Sequence, residues 1–408
     1  MSTSLLYHGF GVVGYQYIRT DYKEGQIIFT LSRKKFSLRC PVCKSKRIIK
    51  HGSLPRWLHS LPIGRISTFI KTEIPRVECK ECGIIRQADI GFADARYTYT
   101  RALGRYVLDL ARHMTISDVA KHLGLSWDLV KSIQKRHLLK KYGKPNLRQL
   151  KRIAIDEIYV GKRGYLTIVL DVLSGAVVFV GNGKGSDALE PFWKKLRRYR
   201  KLQIEAAAID MSPAYIKAIR ENLKDTVIVF DHFHVIKMFN EKLSDFRRQL
   251  FNLTEELLPK SVLKGTRWLL LTARERLNSE QDKQQRLEQA LELNRPLATA
   301  YYMKEDLRQL WNWEGDKSAA QWHLTSWIEM AKNSGIGMLK KFAKTLERHF
   351  DGILAYFDFD SLSTGPLEGT NNKIKTMQRK AYGFRDMEFF KLKIMSLHET
   401  KYAVQRQL

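Results

Sequence analysis

All four cysteines of the 408-residue chain fall in two Cys-x-x-Cys pairs, Cys40-Pro-Val-Cys43 and Cys79-Lys-Glu-Cys82. No other feature of the sequence constrains the fold as tightly. Two such knuckles supply four thiolates, the donor number and type that a closed tetrahedral zinc site requires. Pro41 and Gly83 suit the tight turns that bring both sulfurs of a pair onto one ion. The interval between the pairs carries an alternating stretch, "RISTFIKTEIPRVEC" (65–79), so the expected unit is a small β-rich zinc ribbon. His51 and His59 lie in the same interval, but four thiolates already complete the shell. A closed site folds a domain and does no chemistry, which leaves it the task of presenting its basic neighbours Lys44, Lys46, Arg47 and Lys50.

The charge balance indicates to what they are presented. The formal net charge is +29, and the first 150 residues hold 28 basic against 10 acidic side chains. Such an excess repels itself unless a polyanion is the partner, so nucleic acid is expected and the first third of the chain is its grip. The opening "MSTSLLYHGFGVVGYQYIRT" lacks the basic-then-apolar order of a secretory signal. The most apolar stretch (165–181) is interrupted by Asp171 and a Ser174-Gly175 turn, and reads as a hairpin of two strands, not a membrane span. Cysteines without a secretion signal point to a reducing cytosol.

Residues 115–137, "TISDVAKHLGLSWDLVKSIQKRH", read as a helix-turn-helix. Val119, Ala120 and Leu123 make the inner face of a first helix, Gly124 takes the turn and Ser126 caps a second helix, while Leu125, Val130 and Ile133 continue the core. The second helix is then expected to expose Trp127, Asp128, Lys131, Gln134 and Lys135 to a DNA major groove. "KKYGKPN" (140–146) marks the boundary that follows.

Beyond it the pattern changes. "RIAIDEIYVG" (152–161) alternates as a strand carrying Asp156, the hairpin follows, and "SDALEPFWKKLRRY" is amphipathic and helical. "LQIEAAAIDMSPAY" gives a short strand ending at Asp210 with a helix start at Ser212-Pro213, and "DTVIVFDHFHV" gives a last strand. That β-β-β-α-β-α-β order is that of a ribonuclease-H-like sheet, in which the first strand lies beside the fourth, so Asp156 and Asp210 are expected to converge. Near the C-terminus, "STGPLEGTNNKIKTMQRKAYGF" (363–384) reads as a helix opening at Pro366. It places Glu368, Asn372, Lys375 and Arg379 on one face, with Leu367, Ile374, Met377 and Ala381 opposite.

Glu368 is the lone acid of a cationic track. As a third ligand beside the two aspartates it completes an all-oxygen site for two divalent ions about 3.5 to 4 Å apart, suited to in-line attack on a phosphodiester. Magnesium is the expected metal, with manganese as a substitute. Lys373, Lys375, Arg379 and Lys380 on the same helix are expected to neutralise DNA phosphates. Asn371 and Asn372 have three candidate roles: contacting phosphate, orienting the acid, or capping. Some assignments stay open on the residues alone. Glu157 competes with Asp156, although alternation sends the two to opposite faces, and Asp231 and Asp225 compete with Asp210. Asp171 and Asp187 read as turn and cap residues, and His232 and His234 as structural histidines at a strand-to-helix junction.

The paired knuckles, the helix-turn-helix, "AIDEIYVGKRGYLTIVLD", "AIDMSPAY", "VFDHFHVIKMFNE" and "GPLEGTNNKIKTMQRKAYGFRD" together resemble the ISL3-family insertion-sequence transposases over nearly the whole chain. The last two stretches are the most specific. The resemblance implies a DDE catalytic core whose triad maps onto Asp156, Asp210 and Glu368, with a Ser-Thr-Gly-Pro lead-in to the glutamate where the family pattern has Ser-Asn-Gly or similar. It further implies binding of terminal inverted repeats and target DNA, strand cleavage and strand transfer, and a homodimer or higher assembly on DNA in the nucleoid of a prokaryotic cytoplasm.

The expected class is a multidomain α+β protein. A zinc ribbon (1–95) and a helix-turn-helix (96–148) precede an α/β ribonuclease-H-like core (149–239), an all-α insertion (240–360) and C-terminal core helices carrying the third acid (361–408). Trp268, Trp311, Trp313, Trp322 and Trp327 fall in the insertion. Related transposases stack such a tryptophan on an unpaired base, and Trp268, beside Arg267 in "KGTRWLLL", is the candidate here. Two rivals remain: a DNA-binding regulator that has kept the binding modules without chemistry, and a ribonuclease-H-like nuclease acting on junctions or hybrids.

Overall fold

The computed structural model describes residues 4–34, 38–199, 202–253, 266–272, 281–292, 294–312, 316–360 and 362–398. They fall into two compact units, Met1–Lys140 and Lys141–Leu408. In the first, a short helix α1 (Leu5–His8) precedes strands β1 (Tyr15–Lys23), β2 (Gln26–Arg33), β3 (Ile48–His59), β4 (Ser67–Cys79) and β5 (Ile85–Gln87). The alternating stretch found in the sequence is β4, and it organises the sheet. Along one edge its residues Ser67 to Thr72 take β2 in parallel and Arg76 to Glu78 take β5 antiparallel, while β3 runs antiparallel along the other. Its inward Ile70 and Ile74 join Leu31 and Leu58 over Phe10, Val12, Ile90 and Phe92.

Three helices follow, α2 (Arg101–Leu110), α3 (Ile116–Leu123) and α4 (Trp127–Tyr142). Thr115 and Asp118 form a reciprocal capping box at the start of α3, and Gly124 ends it with a left-handed φ of 62° that suits glycine alone at low cost. Ser126 Oγ accepts the Leu129 N–H at 3.2 Å at the start of α4. Val119, Ala120, Leu123, Leu125, Val130 and Ile133 are buried together, as the sequence pattern leads one to expect.

The second unit is built on β6 (Arg152–Tyr159), β7 (Tyr165–Asp171), β8 (Ala176–Asn182), β9 (Ala206–Ile209) and β10 (Val227–Phe230), in the order β10-β9-β6-β7-β8. The first three form an antiparallel meander; β9 lies parallel to β6, and β10 parallel to β9. One face of the sheet packs Ile153 and Ile155 against Leu189, Phe192 and Trp193 of α5 (Ser186–Leu196) and Tyr215 and Ile219 of α6 (Pro213–Asn222).

Helix α7 (His232–Leu253) leaves β10 and runs unbroken through residues 239 and 240 into a helical array. The array continues as α8 (Arg267–Leu271), α9 (Gln281–Glu292), α10 (Arg295–Gln309), α11 (Lys317–Asn333), α12 (Gly337–Arg348) and α13 (Phe350–Leu354). Trp327 is fully buried at its centre, edge-on to Phe239 and Phe342, and its Nε1 donates to the Met303 carbonyl at 2.8 Å. Helix α13 returns to the sheet edge so closely that a Cβ on Gly352 would stand 2.4 Å from the Phe230 ring. Helices α14 (Gly365–Lys380) and α15 (Met387–Met395) cover the other face of the sheet, where Leu367, Ile374, Phe390 and Ile394 meet Ala154, Ala208 and Val229. Among the described residues no helix is long and apolar enough to cross a membrane.

Candidate catalytic and DNA-binding site

The sulfurs of Cys40 and Cys82 are 3.6 Å apart, those of Cys43 and Cys79 are 3.4 Å apart, and all four lie within 4.8 Å of one another. A zinc ion bonded at about 2.3 Å in a tetrahedron spaces its sulfurs by roughly 3.8 Å, so the donor set fits zinc. Lys44 and Gly83 take left-handed φ values of 60° and 66°, and their N–H groups return to the Cys40 and Cys79 carbonyls at 3.1 and 2.9 Å, closing each knuckle. Burial pushes the Cys40 thiol up, yet the N–H groups of Cys43 and Val42 and the neighbouring thiols outweigh it and hold its pKa at about 6. The shift favours the thiolate, the form a metal takes, at Cys40, while the same contacts among the thiols push Cys43 and Cys82 the other way. Around the site Lys46 is exposed, Lys44 pairs with Asp89 at 2.8 Å and Arg47 with Glu81 at 3.0 Å. Exposed pairs of this kind are weak.

On α4, Trp127 is about half exposed with the Lys131 ammonium 5.3 Å from its ring centre, and Lys135 is half-buried. Gln134 departs from expectation, being only 4% exposed. Val130 and Leu138, four residues to either side, are buried as well, so Gln134 lies on the inner stripe of the helix and not on its solvent-facing side.

Strand register places the acids. Ala154 of β6 pairs with Ala208 of β9, and Ile209 of β9 with Phe230 of β10. Continued by one or two residues, that register brings Asp156, Asp210 and Asp231 to one level at three adjacent strand ends. All three fall on the face covered by α14, because Ala154, Ala208 and Val229, two residues earlier on each strand, belong to that side's core. Glu157 goes to the opposite face, where Tyr215 Oη donates to its Oε1 at 2.6 Å. Asp210 Oδ1 accepts the Ser212 N–H at 3.1 Å, just ahead of the Pro213 start of α6. Burial raises the pKa of Asp156 and the charge of Asp210 adds to the rise, opposed by the Glu157 N–H and by His234. The two aspartates are thus within electrostatic reach of each other, an arrangement that favours a cation between them.

Two hydrogen bonds tie the first half of helix α14 to these strand ends, and a third, from Gln378 Nε2 to the Val160 carbonyl at 3.2 Å, holds its second half just past β6. The N–H of its N-cap residue Thr364 donates to Asp231 Oδ1 at 3.1 Å, and Asn371 Nδ2 donates to Asp156 Oδ2 at 2.8 Å. Glu368 sits between the two ties, exposed in the first turn, about 5 Å of helical rise before Asn371. It is not drawn in against the aspartates: among the described residues only the four cysteines bring three or more metal-capable side chains within 4.8 Å of one another. Asn372, Lys373, Lys375, Arg379 and Lys380 are exposed along the same helix, and Leu367 and Ile374 are buried. Ala381, expected on the buried side, is exposed because the helix has already ended there.

Trp268 is 70% exposed. With His232, Phe233, Asn240 and Arg308 it lines a cavity of about 500 Å³ that begins where β10 gives way to α7. Trp322 is also exposed, Trp311 and Trp327 are buried, and Trp313 lies outside the described residues. On sequence alone Asp231 is only a rival to Asp210, and His234 only structural. The bond from Asp231 to α14 and the reach of His234 to Asp156 escape such a reading, and the dense Asp-His-Phe-His run at a strand end is the one signal of them.

Comparison with known proteins agrees with this layout. A family model described as a transposase of the ISL3 type matches residues 153–394. The helix-turn-helix domain of transposase family ISL3 matches 88–138, and the zinc finger of transposases IS204/IS1001/IS1096/IS1165 matches 37–82. The transposase for insertion sequence element IS1001 of Bordetella parapertussis is 31% identical over 87% of each chain. Transposases for IS1557 from two strains of Mycobacterium tuberculosis are 28% identical over 85% of this chain and 82% of theirs. With a zinc-binding knuckle, a helix-turn-helix and a transposase domain matched in that order along its length, the chain belongs to the ISL3 family of insertion-sequence transposases.

Proposed function

We propose that the chain binds the terminal inverted repeats of an insertion sequence through its zinc ribbon (1–95) and helix-turn-helix (96–148), and that Asp156, Asp210 and Glu368 cleave a strand at each end and join the freed 3′-hydroxyl to target DNA. One observation carries the reading. Two aspartates stand level at adjacent parallel strand ends, beneath a helix that bears Glu368 in its first turn and bonds Asp156 from its second. We read residues 149–239 as a ribonuclease-H-like core, 240–360 as an all-α insertion and 361–408 as the return of the chain to that core with the third acid. Asp156 and Asp210 are fixed by Asn371 and by the Ser212 N–H, whereas Glu368 is exposed and on this reading swings inward when the ions bind.

The donor set is all oxygen, which fits Mg2+ with Mn2+ as a substitute. Bound there, such ions stabilise charge on the attacking and leaving oxygens of a phosphodiester. Trp127, Lys131 and Lys135, with Lys44, Lys46 and Arg47, supply the contacts to the repeats. Lys373, Lys375, Arg379 and Lys380 neutralise the backbone along α14. Trp268 and its cavity hold an unpaired base at the cleaved end by stacking. Two ends must be held together, so the working species is a homodimer or higher assembly on DNA, acting at a prokaryotic nucleoid.

The test is purified full-length protein with labelled DNA from the flanks of its gene, in Mg2+. Nicking at the element boundary and joining to a second duplex, both abolished in Asp156→Ala with binding retained, support the reading. Binding without nicking favours a regulator, and cleavage of generic hybrids without joining favours a nuclease.

A further inference from the structure

Asp231 is the most deeply buried of the three strand-end aspartates, 1% exposed, and so is shielded from any DNA strand that reaches Asp156. Its two oxygens differ. Oδ1 accepts the Thr364 N–H at 3.1 Å and lies 3.6 Å from His232 Nδ1, while Oδ2 is buried with no hydrogen-bond partner among the described residues. A carboxylate held in that condition is costly, and a buried polar atom left unpaired calls for an explanation. The explanation lies in what Oδ1 holds. Thr364 is the N-cap of α14, yet its hydroxyl makes no capping bond. Its carbonyl accepts the N–H groups of Leu367 and Glu368 at 2.8 and 3.0 Å. Two consecutive hydrogen bonds therefore run from the end of β10 through Thr364 to the backbone of Glu368. Leu367 and Ile374 pack α14 on the sheet and Gln378 holds its second half to the Val160 carbonyl at 3.2 Å, while this tie and the Asn371 bond to Asp156 are the polar contacts that hold its N-terminal half.

We propose that Asp231 is a positioning residue, which pins the N-terminus of α14 to the β10 end and thereby sets the distance from which Glu368 closes on Asp156 and Asp210. The proposal rests on the three-acid reading above. It requires an acceptor at Oδ1, not a charge, so Asp231→Asn keeps the function and Asp231→Ala loses it. Thr364→Pro removes the donor from the other side: the backbone φ of Thr364 is −82°, close to the value proline imposes, and its carbonyl is untouched.

The experiment titrates Mn2+ alone into full-length, zinc-loaded protein, follows the free-ion signal by electron paramagnetic resonance, and then measures Mn2+-dependent nicking of the flanking DNA. Because removing a residue that orients a metal ligand typically costs about 10- to 100-fold in metal affinity, Asp231→Ala and Thr364→Pro should each weaken Mn2+ binding by about tenfold or more, and Asp231→Asn should stay within about threefold of the wild type. Zinc content and DNA affinity should be unchanged in all three. Should Asp231→Ala fail to fold, Thr364→Pro and Asp231→Asn decide between them. Wild-type Mn2+ binding in Asp231→Ala or Thr364→Pro overturns the clamp, as does a loss in Asp231→Asn as large as in Asp231→Ala. Asp156→Ala separates the two levels. If it abolishes Mn2+ binding while the clamp variants do not, only the clamp fails; if it binds Mn2+ like the wild type, the three-acid reading fails and the clamp with it.

Discussion

Replacing Asn371 by alanine removes one bond at the centre of the candidate site and little else. The side chain is 8% exposed, and its Nδ2 donates to Asp156 Oδ2 at 2.8 Å. Its Oδ1 has no hydrogen-bond partner among the described residues, so truncation strands no second group, and alanine is the better helix former at that position. A hydrogen bond to an ionised acceptor is worth about 1.5 to 3 kcal/mol. If the whole of it serves to orient Asp156, its loss slows strand nicking by about 10- to 150-fold, since each ~1.4 kcal/mol is a decade in rate. Asn371→Asp should do worse, because it sets a like charge beside Asp156 and pushes further in the direction already imposed by Asp210. The assay is single-turnover nicking of labelled terminal DNA at saturating Mg2+, with binding measured in parallel by gel shift and folding by thermal melting. Nicking by Asn371→Ala within about twofold of the wild type, or a loss matched by an equal loss of DNA binding, would refute the orienting role.

Four further outcomes are expected. Cys79→Ser, at a fully buried ligand position, should release zinc, detectable with a chromogenic chelator, and abolish terminal-DNA binding while the unit 141–408 keeps its own melting transition. Gly352→Ala drives a methyl to 2.4 Å from the Phe230 ring and should destabilise that second transition by about 1 to 3 kcal/mol in urea melts. Lys375→Gln with Arg379→Gln removes two exposed cations from α14; the slope of log affinity against log salt should become shallower by about 0.9 for each phosphate that is no longer neutralised. Trp127→Ala should weaken binding to the terminal repeat about tenfold or more, whereas Gln134→Leu, at a position buried in the helix core, should leave sequence preference intact. Equal effects of the last two in the same fluorescence-anisotropy titration would contradict the buried placement of Gln134.

Local chemistry is what the sequence alone determined about this protein. Cysteine spacing announced a four-thiolate site, Gly124 and Ser126 marked the turn and cap between two helices, period-two alternation marked β4 and β6, and an apolar run broken at Asp171 and Ser174-Gly175 marked the β7–β8 hairpin, because each of these depends on residues adjacent in the chain. The wet and dry faces of α14 were legible from a 3.6-residue period as far as Lys380, and the period misplaced Ala381 because the helix ends before it. Gln134 shows where that kind of inference stops, since a polar residue one position from the apolar stripe is assigned to solvent until the packing of α4 is known.

Tertiary structure alone decided how distant segments come together. The parallel pairing of β2 with β4, the register that sets Asp231 level with the Asp156 and Asp210 pair whose convergence the order of elements already leads one to expect, and the bonds from Thr364 and Asn371 across 133 and 215 residues of chain leave no local signature. Their physical basis is burial: each strand's alternate side chains must find a face, each backbone donor at a buried helix end must find an acceptor, and which acid supplies it depends on where the sheet has already put that acid.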